Sequence, residues 1–188
     1  MISLPFRRPR RSPSIDALYG MIVAQERMPA FYRGYGVPDT VESRLDMVML
    51  HLVLVLRHLS AGQGALPPFA QALFDRFCRD IDDNFREMGV SDLAVPKQMR
   101  RVGEMFYGRA KAYEAALAAD DTAALEAAIA RNVYGASEPL GAGRLAAYMR
   151  EAARQLDAEP LEAIERAAFE FPDPEAIAPS APQREQMQ

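Results

Sequence analysis

The sequence predicts an all-α, single-domain bundle of about six to seven helices around one central apolar helix, near residues 40–60. Three observations predict it. Helix formers dominate, with 32 alanines against 19 Val, Ile and Thr residues together, and only two of those are threonine. The run "LDMVMLHLVLVLRHL" (residues 45–59) is apolar nearly all round, as a helix packed on every side must be. The remaining segments show apolar residues at helical spacing between Pro, Gly and Asp punctuation.

In order, the first helix is expected over Ser14–Arg27, with Ser14 as N-cap and Pro29 limiting its extent. "MPAFYRGYGVPDT" then carries Gly34, Gly36 and Pro38, which break any helix. Asp39 or Thr40 caps the central helix, which reaches about Ser60. A third covers about Pro67–Met88 and stops at Gly89, the residue type that ends helices in the left-handed region. Val95-Pro96 opens a fourth, to about Ala119, because proline loses nothing in a first turn. A fifth, capped by Asp120, Asp121 or Thr122, ends at Gly135, and Pro139–Leu156 and Pro160–Phe169 add two more. Residues 1–13 read as a disordered basic arm, 14–170 as the helical domain and 171–188 as a Pro-rich disordered tail.

Composition narrows the chemistry. The chain has 188 residues and one cysteine, Cys78, so no intramolecular disulfide forms and a reducing, cytoplasmic compartment fits. Two histidines and one cysteine nearly exclude zinc sites built from these residues. The central run falls short of the roughly 20 apolar residues of a membrane span and carries Asp46, His51, Arg57 and His58. No Glu-x-x-His pair marks a di-metal bundle, because Val48 and Val55 stand three residues before the histidines. Both histidines are expected to hydrogen-bond at the edge of the core, and Asp46 and Arg57 to pair with other helices. No P-loop, dinucleotide fingerprint or sequence-specific DNA module is present. No cofactor, metal or catalytic residue is therefore expected.

Charge is uneven. Net charge is −4, while Arg7, Arg8, Arg10 and Arg11 make the first fourteen residues +4, attractive to an anionic membrane face or ribosomal RNA. The stretch "DIDDNFREMGVSDLAVPKQMRR" (80–101) joins an acidic cluster to a basic one. On the third helix Ala70, Phe74, Phe77, Ile81, Phe85 and Met88 share an apolar face, with Asp75, Arg79, Asp82 and Arg86 opposite. Asp80, Asp83 and Glu87, with Arg76, border that face, where a carboxylate needs a partner. On the fourth helix Met99, Val102, Phe106, Tyr113 and Leu117 point inward. Lys97, Arg101, Glu104, Gly108 and Lys111 point away, with Arg100 beside them. That basic stripe suits an anionic partner or plain solubility. The carboxylates serve as scaffold or as a partner surface, a cation site being the weaker alternative.

Two long blocks carry a resemblance: the "FYxxxGVPDT" entry to the central helix, and "DxDDNxREMGVxDLxVPKxMRxxGExFYGR" from Asp80 to Arg109. Over about residues 18–118 the sequence closely resembles the ubiquinol–cytochrome c chaperone family. The resemblance implies a non-enzymatic, all-helical assembly factor for the cytochrome bc1 complex that binds newly made cytochrome b. Mitochondrial members act with a small partner protein at the ribosomal tunnel exit. It places the family motif on Asp80, Asp82, Asp83, Arg86, Glu87, Asp92, Lys97, Arg100, Tyr107 and Arg109. The start has no mitochondrial targeting character, so a bacterial-type member is expected, peripheral at the cytoplasmic membrane face, its accessory partner uncertain. The expected partner-binding residues are Lys97, Arg100, Arg101, Tyr107, Arg109 and Lys111, with the aromatics Phe31, Tyr32 and Tyr35. Asp92 joins Asp80, Asp83 and Glu87 as structural or partner-facing carboxylates. An RNA- or ribosome-binding module is the alternative function, and a carboxylate metal protein a more distant one.

Overall fold

The run from Val41 to Leu59 forms the helix α3, and fourteen of its nineteen residues are buried. In the computed structural model, which describes residues 13–61, 66–135 and 140–178, most of the other helices pack around it. The elements before it are α1 (Pro13–Glu26) and α2 (Pro29–Arg33), and those after it are α4 (Pro68–Glu87) and α5 (Val95–Ala118). Next come α6 (Thr122–Ile129), a π-helical turn (Ala130–Tyr134), α7 (Ala142–Ala158) and α8 (Leu161–Glu165). No strand occurs among the described residues. Helices α1, α4, α5, α7 and α8 all touch α3, and α6 bridges α5 and α7 from outside.

Local chemistry sets the boundaries. Thr40 caps α3 by accepting from the Ser43 N–H at 3.1 Å, and Asp121 caps α6 by accepting from Ala124 N–H at 2.9 Å. Gly89 and Gly135 end α4 and the π turn at φ +82° and +61°, where L side chains are strained. Gly141 is required by contact instead. A Cβ there would stand 1.7 Å from the Tyr35 carbonyl oxygen, which already accepts the Tyr134 hydroxyl at 2.9 Å.

Three expectations are corrected. The segment after Pro29 is not free of helix, because proline seeds the short α2 at its first turn. Ser14 lies inside α1, which opens at Pro13. Residues 171–178, expected to be disordered, form a strap across the bundle, while the arm 1–12 and residues 179–188 lie outside the described residues. The strap holds through polar anchors that hydropathy does not reveal. The Tyr35 hydroxyl donates to the Pro174 carbonyl at 2.7 Å, Gln25 donates to that of Pro172 at 3.2 Å, and Arg144 to that of Ile177 at 2.9 Å.

Under the strap sits an aromatic cluster centred on His51, fully buried, not at the core's edge as expected. Its Nδ1 meets the Met47 carbonyl at 2.8 Å and its Nε2 the Tyr148 hydroxyl at 2.9 Å. Phe31, Tyr148 and Phe171 contact the imidazole edge-on at centroid distances of 5.7, 5.6 and 5.2 Å. Burial lowers the His51 pKa to about 4, against the raising effect of the Met47 carbonyl. Its unfolded value is near 6.5, so its neutral form favours the fold fully above that pH, and the contribution is lost as pH falls towards 4. Relative to a His51→Gln variant, wild type should lose about 3 kcal/mol of stability between pH 7 and pH 4, read by urea unfolding. Parallel pH profiles of the two proteins would show that His51 does not titrate this way.

Candidate partner surface

The α4–α5 hairpin carries the acidic-to-basic stretch, and its two helices differ in how they are packed. On α5, Val95, Val102, Phe106, Ala110, Tyr113 and Ala116 are buried. On α4 only Ala70, Leu73 and Phe77 are buried, while Phe74, Cys78, Ile81 and Phe85 are half-covered. The apolar face predicted for α4 is therefore real but incompletely roofed. At its far end Met88 is 61% exposed, Leu93 is 95% exposed, and on α5 Tyr107 is 61% exposed. Tyr107 still packs its ring against Phe74 and Phe106, at centroid distances of 6.0 and 5.8 Å, so its position is fixed from beneath.

Lys97, Arg101 and Lys111 lie exposed along the outer face of α5, as the helical spacing predicts. Among the described residues none of the three enters an ion pair. Arg100 faces Glu104 at 3.6 Å, with both side chains mostly in water, a pairing that contributes little. Arg109 is different and corrects its assignment to the partner surface. It turns under the helix, 13% exposed, and its Nη2 lies 2.6 Å from Asp46 on α3.

The aromatic segment is also corrected. The α2 turn folds it back, so Phe31 and Tyr35 are 0% and 1% exposed and belong to the His51 cluster. Tyr32 is half-buried, its hydroxyl donating to the buried Glu26 carboxylate at 2.7 Å and its ring lying under Arg44. Phe31 and Tyr35 hold the entry to α3 in place and offer no open surface, while Tyr32 stays partly in solvent.

The carboxylates divide. Asp80 accepts from Tyr19 of α1 at 3.0 Å and pairs with Arg76 at 3.2 Å, and Arg76 also reaches Asp16 at 2.9 Å. This network braces α1 against α4. Asp83 and Glu87 are exposed, and Asp92 pairs with Arg86, which also holds Asp82 at 2.7 Å. Among the described residues no three His, Cys, Asp or Glu side chains are placed to hold a metal ion. Burial pushes the Cys78 thiol pKa up, away from the reactive thiolate.

Of the buried ion pairs expected on α3, Asp46 makes one with Arg109, whereas Arg57 meets Asp157 of α7 at 2.7 Å where that carboxylate is about half exposed, so this pair lies at the surface. Burial raises the Asp46 pKa to about 6 in spite of Arg109, and Glu42 adds to the rise. The partners on other helices, Asp157, Tyr148 and Tyr19, were not singled out. Nothing in the local sequence marks them as partners, and only the packing of α1, α3, α4 and α7 brings each to its mate.

Set beside known proteins, the chain matches the family model for ubiquinol–cytochrome C chaperones over residues 33–171. The crystal structure of the Cbp3 homologue from Brucella abortus superposes with a TM-score of 0.78 at 34% sequence identity. The match spans 88% of this chain and 92% of that one. Comparison with the curated proteins gives no match. The fold is that of an all-helical chaperone. The chain belongs to the ubiquinol–cytochrome c chaperone family.

Replacing Arg109 by Leu should cost about 3–5 kcal/mol, because it strands Asp46 in the core without its counter-charge. The double variant Asp46→Leu/Arg109→Leu should recover most of that loss in chemical denaturation. Additive losses in the double variant would show that the two residues act independently.

Proposed function

We propose that this protein is a non-catalytic assembly chaperone for ubiquinol–cytochrome c reductase that binds newly made cytochrome b. The observation that carries the reading is family membership over most of the bundle. The family model covers residues 33–171, from the end of α2 through α3, the hairpin, α7 and α8 to the first residue of the strap. Chaperones act by binding, and the exposed groups support that mode: fixed cations at Lys97, Arg101 and Lys111, with Tyr107 and Leu93 as apolar contacts nearby. Arg100 and the exposed carboxylates Asp83, Glu87 and Asp92 lie on the same hairpin and set the charge pattern a partner meets.

Among the described residues no helix is long and apolar enough to cross a membrane. We place the protein in the cytoplasm, peripheral at the inner face of the membrane, where a nascent membrane protein emerges. An association with the ribosome, through the Arg7–Arg11 arm, is compatible with that position.

Deleting the gene should lower cytochrome b and bc1 activity together, leaving other respiratory complexes unchanged. Unaltered levels in the absence of a second such factor would overturn the reading. A pull-down from detergent-solubilised membranes then tests the surface. The Lys97→Glu/Arg101→Glu/Lys111→Glu variant should retain its fold by circular dichroism and recover at least fivefold less cytochrome b than wild type. Equal recovery would remove the α5 cations from the client surface.

A further inference from the structure

A groove of about 430 Å³ runs between α1 and the strap. One wall is Met21 and Ala24 of α1 with Met28, the N-cap of α2, and the other is Phe169, Phe171 and the prolines that follow. We infer that this groove is a docking site for an apolar segment flanked by basic residues, the chemistry of the cytoplasmic end of a transmembrane helix. The inference rests on the chaperone reading and names the part of a membrane-protein client that it would hold.

Three properties support it. First, the walls differ in stiffness. Met21 and Met28 are half-buried, unbranched and polarisable, and so adapt to side chains of varied shape. The opposite wall is fixed, since Gln25 at the groove floor donates both to the Tyr148 hydroxyl at 3.0 Å and to the Pro172 carbonyl at 3.2 Å. Tyr35 fixes the Pro174 carbonyl at 2.7 Å. The groove is thus largely pre-formed, which lowers the ordering cost of binding.

Second, both charged side chains that line it, Glu170 and Asp173, are acidic and exposed. An apolar segment alone would gain nothing from them, whereas one ending in Lys or Arg places its cations on the rim. Third, cytoplasmic ends of membrane helices carry an excess of Lys and Arg next to a long apolar run. Residues 15–188 carry a net charge of −8, so the long-range field also favours a cationic flank over an anionic one.

The test uses the full chain and fluorescently labelled peptides: a Leu/Phe hexapeptide with two flanking lysines, the same core with two glutamates, and a Lys-flanked Ser/Gly control. Anisotropy should show the Lys-flanked apolar peptide binding about fivefold or more tighter than the Glu-flanked one, with the control silent. Met28→Glu should abolish that binding, and Glu170→Lys should erase the preference for lysine. Neither side chain is part of the buried core, and both variants should keep the wild-type unfolding midpoint. Equal binding of both apolar peptides, or binding untouched by Met28→Glu, overturns the inference. Binding that appears only after residues 1–12 are removed assigns the groove to the chain's own apolar-then-basic arm and also overturns it. So does a dimer in sedimentation that Met28→Glu dissociates. None of these outcomes changes the gene-deletion result, so failure of the groove and failure of the chaperone reading are separately visible.

Discussion

A helix that is apolar on every side has to be covered on every side, and α3 imposes that requirement on the whole chain. Its buried aliphatic side chains each favour burial by about 1.5–3 kcal/mol, so no arrangement that leaves one face wet competes. Covering it takes α1, α4, α5, α7 and α8 together. The covering would be indiscriminate if α3 were purely apolar. Instead it carries a polar group at several levels, and these engage three different neighbours. Ser43 donates to the Val133 carbonyl in the π turn at 3.3 Å, Asp46 meets Arg109 of α5, and His51 and Arg57 meet Tyr148 and Asp157 of α7. Each pairing fixes which helix lies alongside and at what height, because a slip of one turn would leave a buried polar atom unpaired.

The same logic explains which parts of the molecule were legible in the sequence. The boundaries at Thr40, Gly89, Pro96 and Gly135 were, since these residues act through the local backbone, whereas α2 and the short extent of α8, Leu161–Glu165 against an expected Pro160–Phe169, were not. The outward direction of Lys97, Arg101 and Lys111 was also legible, because it follows from the helical repeat of α5 alone. The aromatic segment was not. Phe31 and Tyr35 sit among glycines and prolines in a stretch that looks like an exposed loop, and their burial depends on His51, Tyr148 and Phe171 arriving from three other elements. Arg109 was misassigned for a related reason. The helical repeat puts it at the edge of the inward face, and only the partner Asp46, 63 residues earlier, decides that it turns in. The strap was missed because it opens a tail, residues 171–188, whose four prolines and low apolar content resemble disorder, whereas its anchors are backbone carbonyls that any sequence would supply.

These features leave the bundle with two surfaces of opposite character. The hairpin offers a line of cations above a half-roofed apolar face, and the strap groove offers adaptable apolar walls with an acidic rim. Neither is a large interface. A groove of about 430 Å³ accepts roughly two or three apolar side chains, and the gain from burying them is partly spent on association entropy. Affinity from either surface alone is then micromolar at best, on the order of 8 kcal/mol or less. In the proposed role that weakness would be useful, since a membrane segment held by the chaperone has to pass to a partner subunit that buries far more area. Two weak contacts on one bundle would provide such a hold by effective concentration, and the loss of one to the growing complex would free the other. Rigidity is what links the two, and it comes from the polar pairs that fix each helix against α3.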